Sequence, residues 1–197
     1  MVPPEKPVSW WLGPSAEPPD LHELLLALGV GEPADGAAVL HALACVSEPV
    51  AGPDDVVVRA VSTLDDYLAW TEVMWEAFDT PADRRERDRP HLPRLFDAER
   101  RGGAVRSFLA FLDGRPAGTG RSVYSHRGVF LIAGATAPWA RGRGVYRALV
   151  RARWDEAVAR GTPALVTEAM PDTSLPILLG LGFREVCRIR RLEDVRA

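Results

Sequence analysis

Lysine is almost missing from this sequence: Lys6 is the only one, and all other basic side chains are arginine or histidine. Acidic residues slightly outnumber basic ones, for a formal net charge of −3, so no bulk attraction to nucleic acid or to an anionic membrane is expected. No apolar run approaches the roughly 20 residues that span a bilayer. The stretch from Met1 to Lys6 lacks the apolar core of a signal peptide. Cysteine is equally scarce. Cys45 and Cys187 stand far apart, with neither the spacing of a metal site nor a disulfide framework. His22, His41 and His91 form no cluster, so no metal is predicted. These absences predict a cytoplasmic protein with reduced, buried thiols and no nucleic-acid or membrane partner.

What the chain does hold is enough for one domain with a real core and an extra segment. Residues 1–52 differ in texture from the rest. Pro3, Pro4, Pro7, Pro14, Pro18, Pro19, Pro33 and Pro49 cut them into short pieces. A helix is expected over Leu21 to Leu28, capped by Asp20 and stopped by Gly29, and a strand over Val39 to Val46. Trp10-Trp11 is a candidate interface patch, which would suit a homodimer. Gly52-Pro53-Asp54-Asp55 reads as a linker, so the main domain is expected over 53–197.

The main domain opens with a β-branched run, Val56 to Val61, followed by a helical stretch from Thr63 to Phe78 capped by Ser62 or Thr63. Ala82 to Arg101 reads as helix in parts, interrupted at Pro90 and Pro93. Its charge run from Asp83 to Arg89 reads as a solvated face. Val105 to Leu112 and Ala117 to Tyr124 flank Asp113-Gly114, a strong hairpin signal. Arg127 to Thr136 is the next strand. A helix follows from Val145 to Arg160, with Arg147, Arg151 and Asp155 along its wet face and Val145, Ala148, Leu149 and Ala152 toward the core. A strand (Ala164 to Met170), a short helix (Ser174 to Gly180) and a last strand (Phe183 to Leu192) complete the chain. Hairpins mixed with crossovers predict an α+β fold with a mixed sheet.

Between the fourth strand of this domain and its long helix lies Thr136-Ala137-Pro138-Trp139-Ala140-Arg141-Gly142-Arg143-Gly144-Val145-Tyr146. Strand, glycine-rich turn and helix start together can cradle a phosphate: glycines let backbone N–H groups approach, and the helix N-terminus adds its dipole. Arg141 and Arg143 add charge at the same place.

In this order of elements, Thr136-Ala137-Pro138 followed by Arg141-Gly142-Arg143-Gly144-Val145-Tyr146 resembles the cofactor motif of the GNAT superfamily of N-acetyltransferases. Leu181-Gly182-Phe183, before the last strand, resembles a second landmark of that family. The resemblance covers about residues 56–197. It implies a mostly antiparallel central sheet flanked by helices, with the cofactor in a V-shaped splay between the fourth and fifth strands. It implies acetyl-CoA as cofactor, with its pyrophosphate on the amides of Arg141, Gly142, Arg143, Gly144, Val145 and Tyr146. The pantetheine arm would pair with the strand edge near Ala135 and Thr136. The activity implied is direct transfer of an acetyl group to a primary amine of a small molecule.

The sequence departs from the family pattern in three places. Tyr146 stands where the motif has Gly or Ala, and it either crowds the phosphates, turns its hydroxyl toward one, or packs in the core. The family's tyrosine acid falls on Leu178, and its upstream asparagine is replaced around Pro171 and Asp172. The fourth strand carries no glutamate. Glu168 and Tyr124 are therefore the candidate catalytic residues; for Glu168 a strand-edge salt bridge is the plainer reading. His126, near Tyr124, reads as an exposed turn residue. The empty acid and base positions also suit a second function, a catalytically weak acyl-CoA-binding or regulatory module. P-loop and dinucleotide folds are disfavoured, since neither Gly-Lys-Ser/Thr nor a complete G-x-G-x-x-G is present. Finally, Leu24 to Val30 echoes Ile177 to Phe183, as a degenerate partial GNAT lobe in residues 1–52 would.

Overall fold

The structure is a computed structural model and describes residues 8–194; Pro3, Pro4, Lys6 and Pro7 lie outside the described residues. The chain divides into two compact units. One is Cys45–Thr167; the other joins the residues up to Ala44 with those from Glu168 onward.

In the first of these units the strands are β3 (Val56–Ala60), β4 (Val105–Leu112), β5 (Arg115–Ser125), β6 (Gly128–Thr136) and β7 (Leu165–Ala169), whose last two residues belong to the other unit. They lie in the order β7-β6-β5-β4-β3. Neighbours from β3 to β6 run antiparallel, whereas β7 runs parallel to β6. The sheet is mixed and the class is α+β, as the hairpin and crossover signals require. The tight turn between β4 and β5 is Asp113-Gly114, both at positive φ (52° and 73°).

Helices cover both faces. Residues on β4 alternate: Leu109 packs with Trp70 and Val73 of α2 (Leu64–Ala77), while Phe108, Ala110 and Leu112 pack with Val145, Ala148 and Leu149 of α5 (Val145–Ala159). Thr63 caps α2, its Oγ1 accepting the Asp66 N–H at 3.1 Å. Asp66 is buried and held by Arg59, whose Nη1 and Nη2 stand 2.7 and 2.6 Å from its two oxygens. Burial works to raise the Asp66 pKa, but the Arg59 bonds and the Ser62 N–H outweigh it and leave it below its usual value. Pro90 and Pro93 divide the next segment into α3 (Ala82–Asp88), a 3-10 turn and α4 (Leu92–Gly102). No α3 residue is buried, in keeping with a solvated charge run. Arg85 folds back to donate to the carbonyls of Thr80 and Trp75.

In the other unit, β1 (Val8–Leu12), β8 (Arg184–Asp194) and β2 (Val39–Cys45) lie side by side and antiparallel. β1 was not legible in the sequence: it is a five-residue strand with an exposed middle, set among prolines. With α1 (Leu21–Ala27), residues 8–45 run strand, helix, strand. The echo between α1 and α6 (Ser174–Gly180) extends to the backbone. Val30 N–H donates to Leu25 O at 3.0 Å, and Phe183 N–H to Leu178 O at 3.1 Å, each around a glycine at positive φ. His41 is buried and pairs with Glu185 at 3.0 Å. Both cysteines are free; Cys45 is buried, but Cys187 is only half-buried.

Candidate active site

The irregularity of β6 starts at Ala133, whose φ is 50°, a left-handed conformation that costs a non-glycine residue roughly 1 kcal/mol. Arg121 faces Ile132 but Thr119 faces Ala135, so Gly120 stands against both Ala133 and Gly134. This is a β-bulge. Thr119 Oγ1 donates to the Ala133 carbonyl (3.3 Å) and Trp70 Nε1 to the Gly120 carbonyl (3.4 Å), so main-chain acceptors loosened by the bulge find partners.

Among the described residues, β7 pairs with β6 only at Val129↔Leu165 and Phe130↔Val166. Thr167 Oγ1 then donates to the Leu131 carbonyl at 2.9 Å, a side chain standing in for a ladder bond. Among the described residues, no strand pairing on this edge of β6 continues past Phe130. Ala137 N–H donates across to the Ala117 carbonyl on β5. Main-chain groups alternate between edges, so Ala135 also faces β5 and Thr136 turns to the open edge. Of the two residues expected to meet a cofactor arm, the geometry frees the main chain of Thr136 and engages that of Ala135.

β6 leads through a 3-10 turn, Pro138–Ala140, to Gly142 and Gly144, both at φ 76°. Gly144 is the N-cap of α5, and no side chain caps this end. The first N–H groups of the helix, on Val145, Tyr146 and Arg147, have no carbonyl one turn back. A Cβ on Gly142 would meet nothing within 4 Å; on Gly144 it would strike Pro53 Cδ at 2.8 Å. Gly118 and Gly52 let α5 sit this close: a Cβ at Gly118 would lie 2.5 Å from Val145 Cγ1, and one at Gly52 2.5 Å from the Ala148 backbone. The expected linker thus packs on the helix. Free amides, the positive helix end and an unobstructed approach suit a phosphate group.

The arginines differ from expectation. Arg141 Nη2 donates to Ala77 O at 3.1 Å, satisfying the C-terminal end of α2, and Arg143 pairs with Asp55 at 3.5 Å. Arg151 pairs with Asp155 on the wet face, but Arg147 does not stay there. Its Nη2 lies 3.2 Å from where a Gly144 Cβ would be, and its buried Nε has no hydrogen-bond partner. Arg147 thus folds back beside the helix N-cap, although helical periodicity assigned it to solvent.

Tyr146 turns away from the cradle. Its ring lies against Gly134, where a Cβ would come 2.7 Å from Cε2 and 3.3 Å from the hydroxyl. Tyr124 is placed far from the turn. Its ring lies under the Arg160 guanidinium, 3.9 Å from its centre, and its hydroxyl is buried. The helix between Gly144 and Arg160 is 15 residues long, or about 22 Å. The strand pattern gave no sign of this, because it does not say which end of α5 a residue meets. Burial, then the Glu156 charge, raise the Tyr124 pKa against the Ser122, Arg160 and Arg106 contributions. Glu168, next to Thr167 on β7, is half-buried, and burial raises its pKa above the usual value. Leu178 is 1% exposed, core packing in place of an acid. His126 is exposed in a turn.

A profile of the Acetyltransferase (GNAT) family matches residues 67–176, more than half of the chain. The protein belongs to this family, whose acyl donor is acetyl-CoA. No curated protein matches by sequence. Among solved structures, a GCN5-related N-acetyltransferase from Kribbella flavida is 18% identical, with a TM-score of 0.70 over 94% of this chain and 67% of that one. One from Sphaerobacter thermophilus is 20% identical, with a TM-score of 0.69 over 98% of this chain and 61% of the other. A tandem GNAT protein from the clavulanic acid biosynthesis pathway is 16% identical, with a TM-score of 0.68 over 97% and 64%. At these identities the likeness is one of fold, and the chain spans about two thirds of their lengths.

Proposed function

We propose that this protein is an acetyl-CoA-dependent N-acyltransferase that passes an acetyl group directly to a primary amine of a small molecule. The observation that carries the reading is the pairing of an uncapped, glycine-entered helix start with the open, bulged edge of β6 just before it. The amides of Gly142, Gly144, Val145 and Tyr146 would hold the pyrophosphate, with Arg147 beside them; Arg141 and Arg143 would frame the turn from their partners on Ala77 and Asp55. Thr136, backed by Ala135, would hold the pantetheine amide groups as an added strand would. Acetyl-CoA supplies a thioester, an acyl group already activated for attack.

The chain's remaining task is to move protons. A primary amine is nucleophilic only when neutral, so a base must receive its proton directly or through water. Glu168 is proposed for that role: its burial-raised pKa brings it closer to neutrality than an exposed carboxylate. A free main-chain N–H at the bulge would polarise the thioester carbonyl.

Calorimetric titration with acetyl-CoA, followed by a thiol-release assay across small amines, tests this reading. Micromolar binding and amine-dependent thiol release support it; absence of binding refutes it. Binding without turnover on any amine favours the acyl-CoA-binding module, the reading that buried Leu178 at the acid position supports.

A further inference from the structure

Arg153, two helical turns beyond Tyr146 on α5, has no solvent exposure. Its Nε donates to Leu149 O at 3.0 Å, and neither Nη1 nor Nη2 has a hydrogen-bond partner. No carboxylate pairs with it among the described ion pairs. A buried guanidinium with no anion is costly, and stability alone gives no reason to keep it. The fold makes room for it. The guanidinium lies flat on Gly120, where a Cβ would sit 2.9 Å from Cζ and 3.0 Å from Nη1, and Gly120 is the residue opposite the bulge. Its Cζ is 5.8 Å from the centre of the Tyr146 ring. Tyr146 is only partly buried, with its hydroxyl over Gly134, next to Ala133 on the open strand. A partly exposed phenol thus lies on the α5-facing side of the sheet over Gly134, with a buried cation 5.8 Å from its ring centre behind it.

We infer that Tyr146 is the proton donor to the coenzyme A sulfur and that Arg153 is the positioning residue that holds its oxygen when negatively charged; the inference rests on the acyltransferase reading above. The acceptor nitrogen forms a bond to the thioester carbonyl carbon and gives its proton to base or solvent. The C–S bond breaks and its electron pair stays on sulfur. The Tyr146 hydroxyl proton passes to sulfur, leaving free thiol, and the phenolate, facing Arg153, takes a proton back from solvent. Two glycines serve this arrangement: Gly134 admits the ring and Gly120 admits the guanidinium.

The charged and titratable groups on the packed elements leave this pair apart. Tyr124 on β5 is the other phenol near Arg153. Glu156 is engaged by Arg160 at 2.8 Å and by Arg106 of β4 at 3.0 Å. Arg121 of β5 turns to Glu99 on the α2 face, Arg115 stacks on Trp139, Arg147 lies by Gly144, and β6 carries no titratable residue. Glu168 lies on β7.

The test uses the full chain, wild type, Tyr146→Phe and Arg153→Met, with coenzyme A itself as probe. The thiol of bound coenzyme A is titrated by thiolate ultraviolet absorbance. A hydrogen bond from Tyr146 to sulfur favours the thiolate, so its midpoint should rise by about one to two pH units in Tyr146→Phe. In the transfer assay, kcat should fall about 10²-fold with the acetyl-CoA KM little changed. Arg153→Met should lower kcat about tenfold with the acetyl-CoA KM little changed and without lowering thermal stability, a split that a merely structural role would not produce. An unchanged thiol midpoint and kcat in Tyr146→Phe overturn the inference. If wild type binds coenzyme A but acetylates no amine, the acyltransferase reading fails, and the thiol titration still decides whether Tyr146 reaches sulfur. If wild type does not bind coenzyme A, both fall.

Discussion

Replacing Arg153 by methionine should make the protein more stable. Arg153 is fully buried, and its two Nη groups lack hydrogen-bond partners. Burial pushes its pKa down against the pull of Tyr146 and Tyr124, but a guanidinium stays protonated at any ordinary pH. The effective penalty for a buried ion is several kcal/mol, and apolar replacement of buried ionic groups commonly stabilises by about 1–4 kcal/mol. Against this stands the lost Nε bond to Leu149 O, worth about 1 kcal/mol. Methionine keeps a flexible apolar stem over Gly120 and between the helix and sheet. A net gain of about 2 kcal/mol follows, and at about 2–4 °C per kcal/mol for a chain of this size, Tm should rise by about 4–8 °C. Calorimetry and urea unfolding, with the m-value unchanged, measure it. The gain should be the same from pH 6 to 9, because neither form titrates there. A drop in Tm would refute the reasoning, since it would mean that the guanidinium is compensated in the folded state.

Gly144→Ala forces a side chain onto φ 76° and into Pro53, 2.8 Å away; it should cost about 1–2 kcal/mol and weaken acetyl-CoA binding in calorimetry at least tenfold. Gly134→Ala places a methyl 2.7 Å from Tyr146 Cε2; tyrosine fluorescence and the kcat profile should both change, whereas a silent substitution would show that the ring does not rest there. Asp66 has a folded pKa below its usual value of 3.8, so its stabilising contribution is complete above that value and is lost as pH falls through the folded pKa. Asp66→Asn should therefore lower Tm at pH 7 and flatten the acid limb of the Tm–pH curve below pH 4. Glu168 shows the opposite sign: its raised pKa contributes stability below 4.5 that disappears as pH rises through the folded value, and Glu168→Gln should raise Tm at neutral pH while lowering amine turnover.

Apart from β1, the element order, the Asp113-Gly114 hairpin, the proline interruptions of the second helical stretch and the glycine-rich turn were legible in the sequence, because each rests on local chemistry. Positive φ at Gly142 and Gly144, the fixed φ of proline and the 3.6-residue stripe of α5 are properties of neighbours in the chain. Strand β1 escaped because an edge strand needs only one partner and has no alternating pattern of its own; its register is set by β8, far away in sequence. Arg147 was assigned to solvent by helical spacing, which counts positions on a helix but does not show that a long side chain can fold back over the N-cap.

The sequence by itself determined that a glycine-rich turn joins a strand to a long helix, since glycines, proline and helix start all act within a dozen residues. Tertiary structure alone decided what surrounds that turn. The bulge at Ala133 exists because β5 and β6 slip by one residue between Arg121 and Thr119. Tyr124 sits under the far end of α5, and Tyr146 lies on Gly134 with Arg153 behind it on Gly120. Such neighbours are chosen by packing between strands and a helix, where distance along the chain carries no information about distance in space.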